Sequence, residues 1–266
     1  MNDPDYLKTH QYRDPRHLNA RSTLHRRFTT NGYGLWNWVF DAMLERLDAN
    51  ADVLEVGCGP ADLWRTNADR IPPGWNVTLT DFSPGMVRAA REALGAVHRD
   101  IVFLDADVQH LPFAAHTFDA VLANYMLYHV PDRPRAISEI ARVLRPGGWL
   151  IAATNGERNL RELKDLIEQF TTAGKQTDDD SGFSLQNGSV QLSGHFDPVA
   201  GLTYDDELII TEVQPVLDYI GSLWPGLRPP DSIMEQVHDT VRNLITNGGG
   251  WHVQKETGMF VARLPE

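Results

Sequence analysis

The apolar positions of this chain change period several times, and each change marks an element. Residues 52–57 are almost wholly apolar apart from Asp52 and Glu55, the pattern of a parallel strand covered on both faces. Similar short runs recur at 76–80, 101–104, 118–123 and 149–153. Between them lie stretches with helical spacing: Met86, Val87, Ala90 and Leu94 behind a Ser83-Pro84 start, then a span from about Arg133 to Leu144. Strand and helix alternate without a break from Asp52, so the pattern predicts an α/β domain with a parallel sheet. A helix over 160–170 and a last strand at Met259–Ala262 complete it.

Ahead of that alternation the spacing predicts two helices. One starts at Asp14-Pro15 and passes through Leu18, Arg21, Leu24, His25 and Phe28. The other carries Trp36, Val39, Phe40, Met43, Leu44 and Leu47 as one apolar stripe. Core packing accounts for Val39 and Phe40, whereas Tyr33, Trp36 and Trp38 at its start are candidates to line a substrate pocket. Residues 174–182 are polar and turn-rich, and 183–246 mix short helical patterns with a β segment near Leu208–Ile210. The expected division is therefore an N-terminal helical cover (1–50), a core (51–173), an insertion over the carboxyl edge of the sheet that includes a core strand (174–254), and a final core strand (255–266). Phe183, Trp224 and Trp251 join the aromatics of the cover.

Composition narrows the partners. A chain of 266 residues with 42% hydrophobic content supports one α/β domain with an elaboration. Its 24 basic and 36 acidic residues give a net charge of −12, which repels nucleic acid and anionic membranes. Cys58 is the single cysteine, so no intrachain disulfide forms. The acidic, polar start Met1–Asp5 is unlike a signal peptide, and no apolar run approaches the roughly 18 residues that cross a bilayer. The expectation is a soluble, cytoplasmic protein. Ten histidines lack ligand spacing and Asp178–Asp180 reads as a solvated run, so no metal is expected.

The candidate chemistry gathers where strands end. Val53–Val56 runs into Gly57-Cys58-Gly59, a turn whose missing Cβ atoms let backbone N–H groups approach a ligand. A dinucleotide site wants a third glycine three residues after Gly59, but Asp62 stands there, and its charge would repel a diphosphate. Glu55 sits at the strand end, facing the crevice. Asp81 closes the second strand, where a carboxylate can accept both hydroxyls of a ribose. Asp107 follows the third, where it can accept from an adenine amino group while the Val108 N–H donates to a ring nitrogen. Taken singly each is an ordinary cap or turn residue. Together, Glu55, Asp81 and Asp107 close three successive strands on one edge.

The segments VLEVGCGPADL, VTLTDFSPGMV, DADVQHLPF, FDAVLANYMLYHV and EIARVLRPGG resemble the ordered motifs of class I S-adenosylmethionine-dependent methyltransferases. They are similar to the small-molecule branch that includes the ubiquinone/menaquinone-type enzymes, over residues 52–155. The resemblance implies a Rossmann-like, seven-stranded, mostly parallel sheet with helices on both faces and an antiparallel last strand at 257–263. It implies S-adenosylmethionine as cofactor, in the Glu55, Gly57, Cys58 and Gly59 turn, with Asp81 on the ribose. Met86 or Phe82 would pack on the adenine, Asp107 and Val108 would meet its edge, and Asn124 and Tyr125 would lie by the methionine portion. Ala61 departs from the glycine of many members. Arg21, in a basic cluster over 13–27, is a candidate for the cofactor carboxylate.

After strand four, Tyr128 and His129 stand on the crevice edge. His129 is a candidate general base there, with Tyr128 as a catalytic and substrate-lining neighbour of Tyr33 and Trp36. Asn124 is not followed by Pro-Pro-aromatic, which argues against amino-group transfer to nucleic-acid bases. The expected reaction is methyl transfer to a small organic acceptor at oxygen, carbon or nitrogen. The alternatives are a cofactor-binding regulator without catalysis, a nicotinamide-dependent oxidoreductase, or an RNA methyltransferase. Asp62 opposes the oxidoreductase and the net charge opposes RNA.

Overall fold

A computed structural model describes residues 16–95, 101–170, 182–223 and 230–266, without the side chains of 16–21. Two helices, α1 (Arg16–Phe28) and α2 (Leu35–Leu44), precede the alternating core. That core runs β1 (Asp52–Val56), α3 (Asp62–Thr66), β2 (Asn76–Asp81), α4 (Pro84–Leu94), β3 (Val102–Asp105), β4 (Phe118–Leu122), α5 (Arg133–Val143) and β5 (Leu144–Asn155). Then come α6 (Arg161–Phe170), α7 (Gly188–Leu192), β6 (Val199–Tyr204), β7 (Glu207–Ile210) and α8 (Gln214–Leu223). The chain ends with α9 (Asp231–Gly248), β8 (Trp251–Gln254) and β9 (Thr257–Arg263).

Seven strands form one sheet in the order β3-β2-β1-β4-β5-β9-β6. All pairs from β3 to β5 are parallel, and β9 runs antiparallel to both β5 and β6. This is the seven-stranded, mostly parallel, Rossmann-like sheet that the sequence led us to expect, with 257–263 as its antiparallel strand. The winding reverses between β1 and β4, and open α/β sheets bind their ligands at the carboxyl ends beside such a reversal. In β1, Leu54 and Val56 enter the core on one face of the sheet while Val53 enters the core on the other. Burying each such side chain is worth about 1.5–3 kcal/mol, which fixes the register of the strand that carries Glu55.

Local signals set where the site-bearing elements start. Ser83 caps α4, its Oγ accepting from the Met86 N–H at 3.4 Å, with Pro84 in the first turn. Asp132 caps α5 in the same way, accepting from the Arg135 N–H at 3.1 Å. The Arg145–Gly148 segment, despite its proline and two glycines, is part of β5. Its pairing with β4 slips between Phe118 and Ala120, so the extra residues form a bulge that leaves the strand continuous.

The expected division of the chain needs two corrections. A third apolar cluster, separate from the two that sandwich the sheet, joins Leu24 and Phe28 of α1 to Leu163 and Leu166 of α6. It also takes in Leu208 and Ile210 of β7, Val237 and Val241 of α9, and Trp251 and Val253 of β8. The cap thus includes α6, which had been placed in the core. It excludes α7 and β6, which pack on the main sheet with Phe183, Phe196 and Phe260. β7 pairs with β8 as a two-stranded ribbon, and Thr29 bridges to Leu208, tying the N-terminal segment to it. Trp224 lies outside the described residues.

Candidate active site

The turn after β1 is built as the sequence predicts. Gly57 has φ +71°, and a Cβ there would fall 2.8 Å from the Met126 side chain. Gly59, at φ +53°, donates its N–H to Asp81 Oδ2 at 2.9 Å, and Asp81 Oδ1 accepts from the Ser83 N–H at 2.8 Å. Asp81 therefore clasps the glycine turn to the start of α4. Burial pushes its carboxyl up to about 6, against the pull of those two N–H groups. The Cys58 N–H pairs with the Thr80 carbonyl at 2.9 Å, and burial raises its thiol well above the ordinary value. Ala61 is held at φ +60°, a left-handed conformation that costs a residue with a Cβ roughly 1–2 kcal/mol.

Glu55 lines the cavity at the root of the glycine turn. It is buried, and its oxygens are taken by protein: Oε2 by Trp64 Nε1 at 2.6 Å, Oε1 by Asn124 Nδ2 at 3.0 Å. Burial pushes it up to about 7 despite these two donors. Its evident work is to orient Asn124, whose Oδ1 is left buried and without a hydrogen-bond partner. Asp107 lines the cavity too, and both of its oxygens accept from Gln109 Nε2, at 3.0 and 3.1 Å. Its Oδ1 also takes the Gln109 N–H at 2.9 Å, so any contact with an adenine amino group shares these lone pairs.

These residues line a cavity of about 670 Å³ that runs the width of the sheet. Its first half lies over β3, β2 and β1, with Asp107, Val108, Asp81, Phe82, Met86 and the glycine turn. Met86 and Val108 are buried there, while Phe82 is exposed. The second half lies over β4, β5, β9 and β6. Tyr125, Asn155, Thr257 and Tyr204 stand at or just beyond the strand ends, and α1 and the cap close above them with His25, Asp206, Tyr219 and Lys255. Trp36 lines the cavity and meets Tyr125 edge to face, ring centroids 5.9 Å apart.

Tyr128 and His129 also line it, their rings 4.4 Å apart. Tyr33 does not. It is 53% exposed and its hydroxyl donates to Asp41, so the substrate role expected for it is corrected to a surface hydrogen bond. Trp38 packs on Tyr204 at 5.3 Å. Phe183, 5.6 Å from Phe260, and Trp251 are core residues, so completing a core decides their place. The Arg21 side chain lies outside the described residues.

Several cavity residues escaped the sequence. The deepest is an ion pair between Lys255 and Asp206, whose side chains are 6% and 0% exposed. Asp206 also accepts from the Thr29 hydroxyl at 2.7 Å and from the Thr30 and Asn31 N–H groups, both at 3.1 Å. Burial pushes its carboxyl up, but these bonds outweigh that and hold it below the ordinary value. His25 stands near this pair. Burial and the Lys255 charge lower it to about 4, so its ring is neutral at neutral pH. One signal for His25 was available: it interrupts the apolar stripe of α1 between Leu24 and Phe28. Nothing local marks Asp206 or Lys255.

Residues 54–152 match the family model described as a methyltransferase domain. That match lies within the seven-stranded sheet and its helices, from β1 to β5. The demethylmenaquinone methyltransferase of Listeria welshimeri is 31% identical over 128 residues, 48% of this chain and 54% of that protein. The malonyl-[acyl-carrier protein] O-methyltransferase of Enterobacter lignolyticus is 36% identical over 129 residues, 47% of each chain. The chain thus spans about half the length of these curated relatives. Among solved structures, the YcgJ protein of Bacillus subtilis superposes with a TM-score of 0.56 at 17% identity, over 86% of this chain and 98% of that one. The [4+2]-cyclase SpnF does so at 0.52 and 19%, over 89% and 84%. Both likenesses are of fold. Among the described residues, no helix is long and apolar enough to cross a membrane and no group of three His, Cys, Asp or Glu could hold a metal ion.

Proposed function

We propose that the protein is an S-adenosylmethionine-dependent methyltransferase acting on a small organic acceptor. The observation that carries this reading is the two-part cavity. One half is lined by the glycine turn and strand-end carboxylates within the residues that match a methyltransferase domain, and the other continues the same cavity under α1 and the cap.

The residues present fit the cofactor. The glycine turn leaves room that a Cβ would fill, and Asp81 keeps lone pairs beyond its two backbone bonds for a ribose diol. The orphan Asn124 Oδ1 is an acceptor for an ammonium group, held in that sense because Glu55 takes the amide N–H. Met86 and Val108 offer the apolar wall for a base. When bound, the cofactor supplies a methyl group made electrophilic by its sulfonium. The protein's part is then to fix the acceptor in line and keep water out, which is what the cap and the second half of the cavity are placed to do. His129 and Tyr128, on the cavity wall after β4, are candidates for handling the acceptor's proton.

Calorimetric titration with S-adenosylhomocysteine and with NAD tests the cofactor, and a tritium-methyl transfer screen over small metabolites tests the reaction. Binding of S-adenosylhomocysteine alone, with methyl transfer to at least one acceptor, is expected. Tight binding with no transfer to any acceptor would leave a cofactor-binding regulator. The SpnF likeness shows that this fold also serves other chemistry.

A further inference from the structure

We propose that the second half of the cavity recognises an uncharged, largely apolar acceptor through a hydroxyl group, received by His25 and the hydroxyl of Tyr204. The proposal rests on the methyltransferase reading for the role of the bound molecule, but not for its recognition.

Three observations converge. First, the strongest charges in the chamber cancel. Lys255 is bonded to Asp206, and Asp206 also accepts from Thr29, Thr30 and Asn31, so the pair presents no net charge to a ligand. A carboxylate or ammonium entering here would lose its hydration without a counter-ion. Second, Tyr204 is buried and its hydroxyl makes no hydrogen bond of normal geometry, although it lies close enough to the Gly34 N–H to feel it. Tyr125 is in the same position beside Thr257, and the Tyr204 phenol is near enough to add to its cost of ionising. A buried hydroxyl left unpaired costs about 1–3 kcal/mol, which a ligand oxygen seated there would recover. Third, the ring of His25 lines the cavity from α1 with no hydrogen bond to any described residue.

Lys255 and Asp206, from the loops flanking the β7–β8 ribbon, act on that imidazole, and Tyr219 on α8, Tyr204 on β6 and Arg26 on its own helix line the same cavity. None of them takes the ring nitrogens, and Lys255 opposes a positive charge on the ring. A neutral imidazole accepts one hydrogen bond and donates one. Aromatic hydroxyls and enols present the matching donor on a flat apolar body that Trp36 and Leu160 can cover. Two further cations line the cavity, Arg65, paired with Asp62 by the glycine turn, and Arg26. Arg26 is exposed, its guanidinium donates to Thr23 at 3.2 Å, and water screens it.

The test titrates three probes of one shape into the full-length protein, with and without saturating S-adenosylhomocysteine: para-hydroxybiphenyl, its para-carboxylate and its para-aminomethyl analogue. The hydroxyl probe is expected to bind at least about tenfold more tightly than either charged probe. His25→Ala and Tyr204→Phe should each weaken it about tenfold while S-adenosylhomocysteine affinity holds, and His25→Gln, which keeps an acceptor, should recover part of the loss. Ring-nitrogen resonances of labelled histidine should move on adding the hydroxyl probe and stay put in His25→Ala. Tighter binding of the carboxylate would assign the site to Arg26 and overturn the proposal. So would tighter binding of the amine, binding of none of the three, or unchanged affinity in both variants. Failure of S-adenosylhomocysteine to bind would instead strike the cofactor reading, and the titration without it still decides this one.

Discussion

At the scale of single residues, the site stores its chemistry in carboxylates that burial has made reluctant to ionise. Asp81 titrates near 6, and a ribose diol donates best to its charged form. Cofactor affinity should therefore fall as pH drops through about 6, with uptake of the ligand releasing up to one proton below that value. Calorimetry in two buffers of different ionisation heat measures the release, and Asp81→Asn should abolish it while weakening binding by about 1.5–3 kcal/mol. The sign for folding is the opposite of a salt-bridged aspartate. The folded state holds this proton between 3.8 and about 6, so Asp81 favours the fold at low pH and that contribution is lost as pH rises through the window. Glu55 makes a second case. Glu55→Ala would leave the buried Trp64 Nε1 and Asn124 Nδ2 donors unpaired, each costing about 1–3 kcal/mol, whereas Glu55→Gln retains one acceptor. Urea unfolding should show a loss of at least about 2 kcal/mol for the alanine and a smaller one for the glutamine.

At the scale of elements, the half of the cavity proposed for the cofactor was legible because its signals are local. Apolar runs end in Glu55, Asp81 and Asp107, Ser83-Pro84 starts a helix, and Gly57 marks a turn, all within a few residues of the atoms they position. Gly57 shows how strict one such signal is. Its φ of +71° and the Met126 Cβ 2.8 Å from any added Cβ leave no cheap response, since Met126 is fixed beside Tyr125, itself at φ +54°. Gly57→Ala should lose at least tenfold in S-adenosylhomocysteine affinity by titration and about 1–2 kcal/mol in stability. The half proposed for the acceptor was not legible, for a physical reason. Its residues meet only through tertiary pairings: β7 with β8 across the whole of α8 and α9, His25 of α1 against loops far along the chain, and Lys255 against Asp206. Amphipathic spacing said that α6 buries a face but not which cluster would receive it, and so the cap boundary was misplaced. Tyr33 read as a pocket aromatic because periodicity does not show that Asp41, two turns on, would claim its hydroxyl at the surface.

At the scale of the whole molecule, the cap is made from both ends of the described chain, and one carboxylate pins them together. Asp206 holds the turn after α1 through Thr29, Thr30 and Asn31, and holds the loop before β9 through Lys255. The apolar cluster of the cap is distinct from the two that enclose the sheet, so the cap can loosen while the core stays folded. Asp206→Ala leaves Lys255 charged and almost wholly buried with no partner, and breaking a buried pair in this way costs about 3–5 kcal/mol. That cost should fall on the cap. Amide exchange in the described residues of 22–31 and 205–254 should speed up by orders of magnitude, while strands 52–56, 76–81 and 118–122 keep their protection. S-adenosylhomocysteine should still bind, because its proposed half of the cavity is carried by those strands, whereas affinity for any acceptor should collapse. A double variant, Asp206→Ala with Lys255→Met, removes the stranded charge and should restore part of the cap's protection without restoring the links to Thr30 and Asn31. Equal loss of protection in cap and core would mean that they unfold as one cooperative unit, and that the cap is a wall of this cavity with no independent opening.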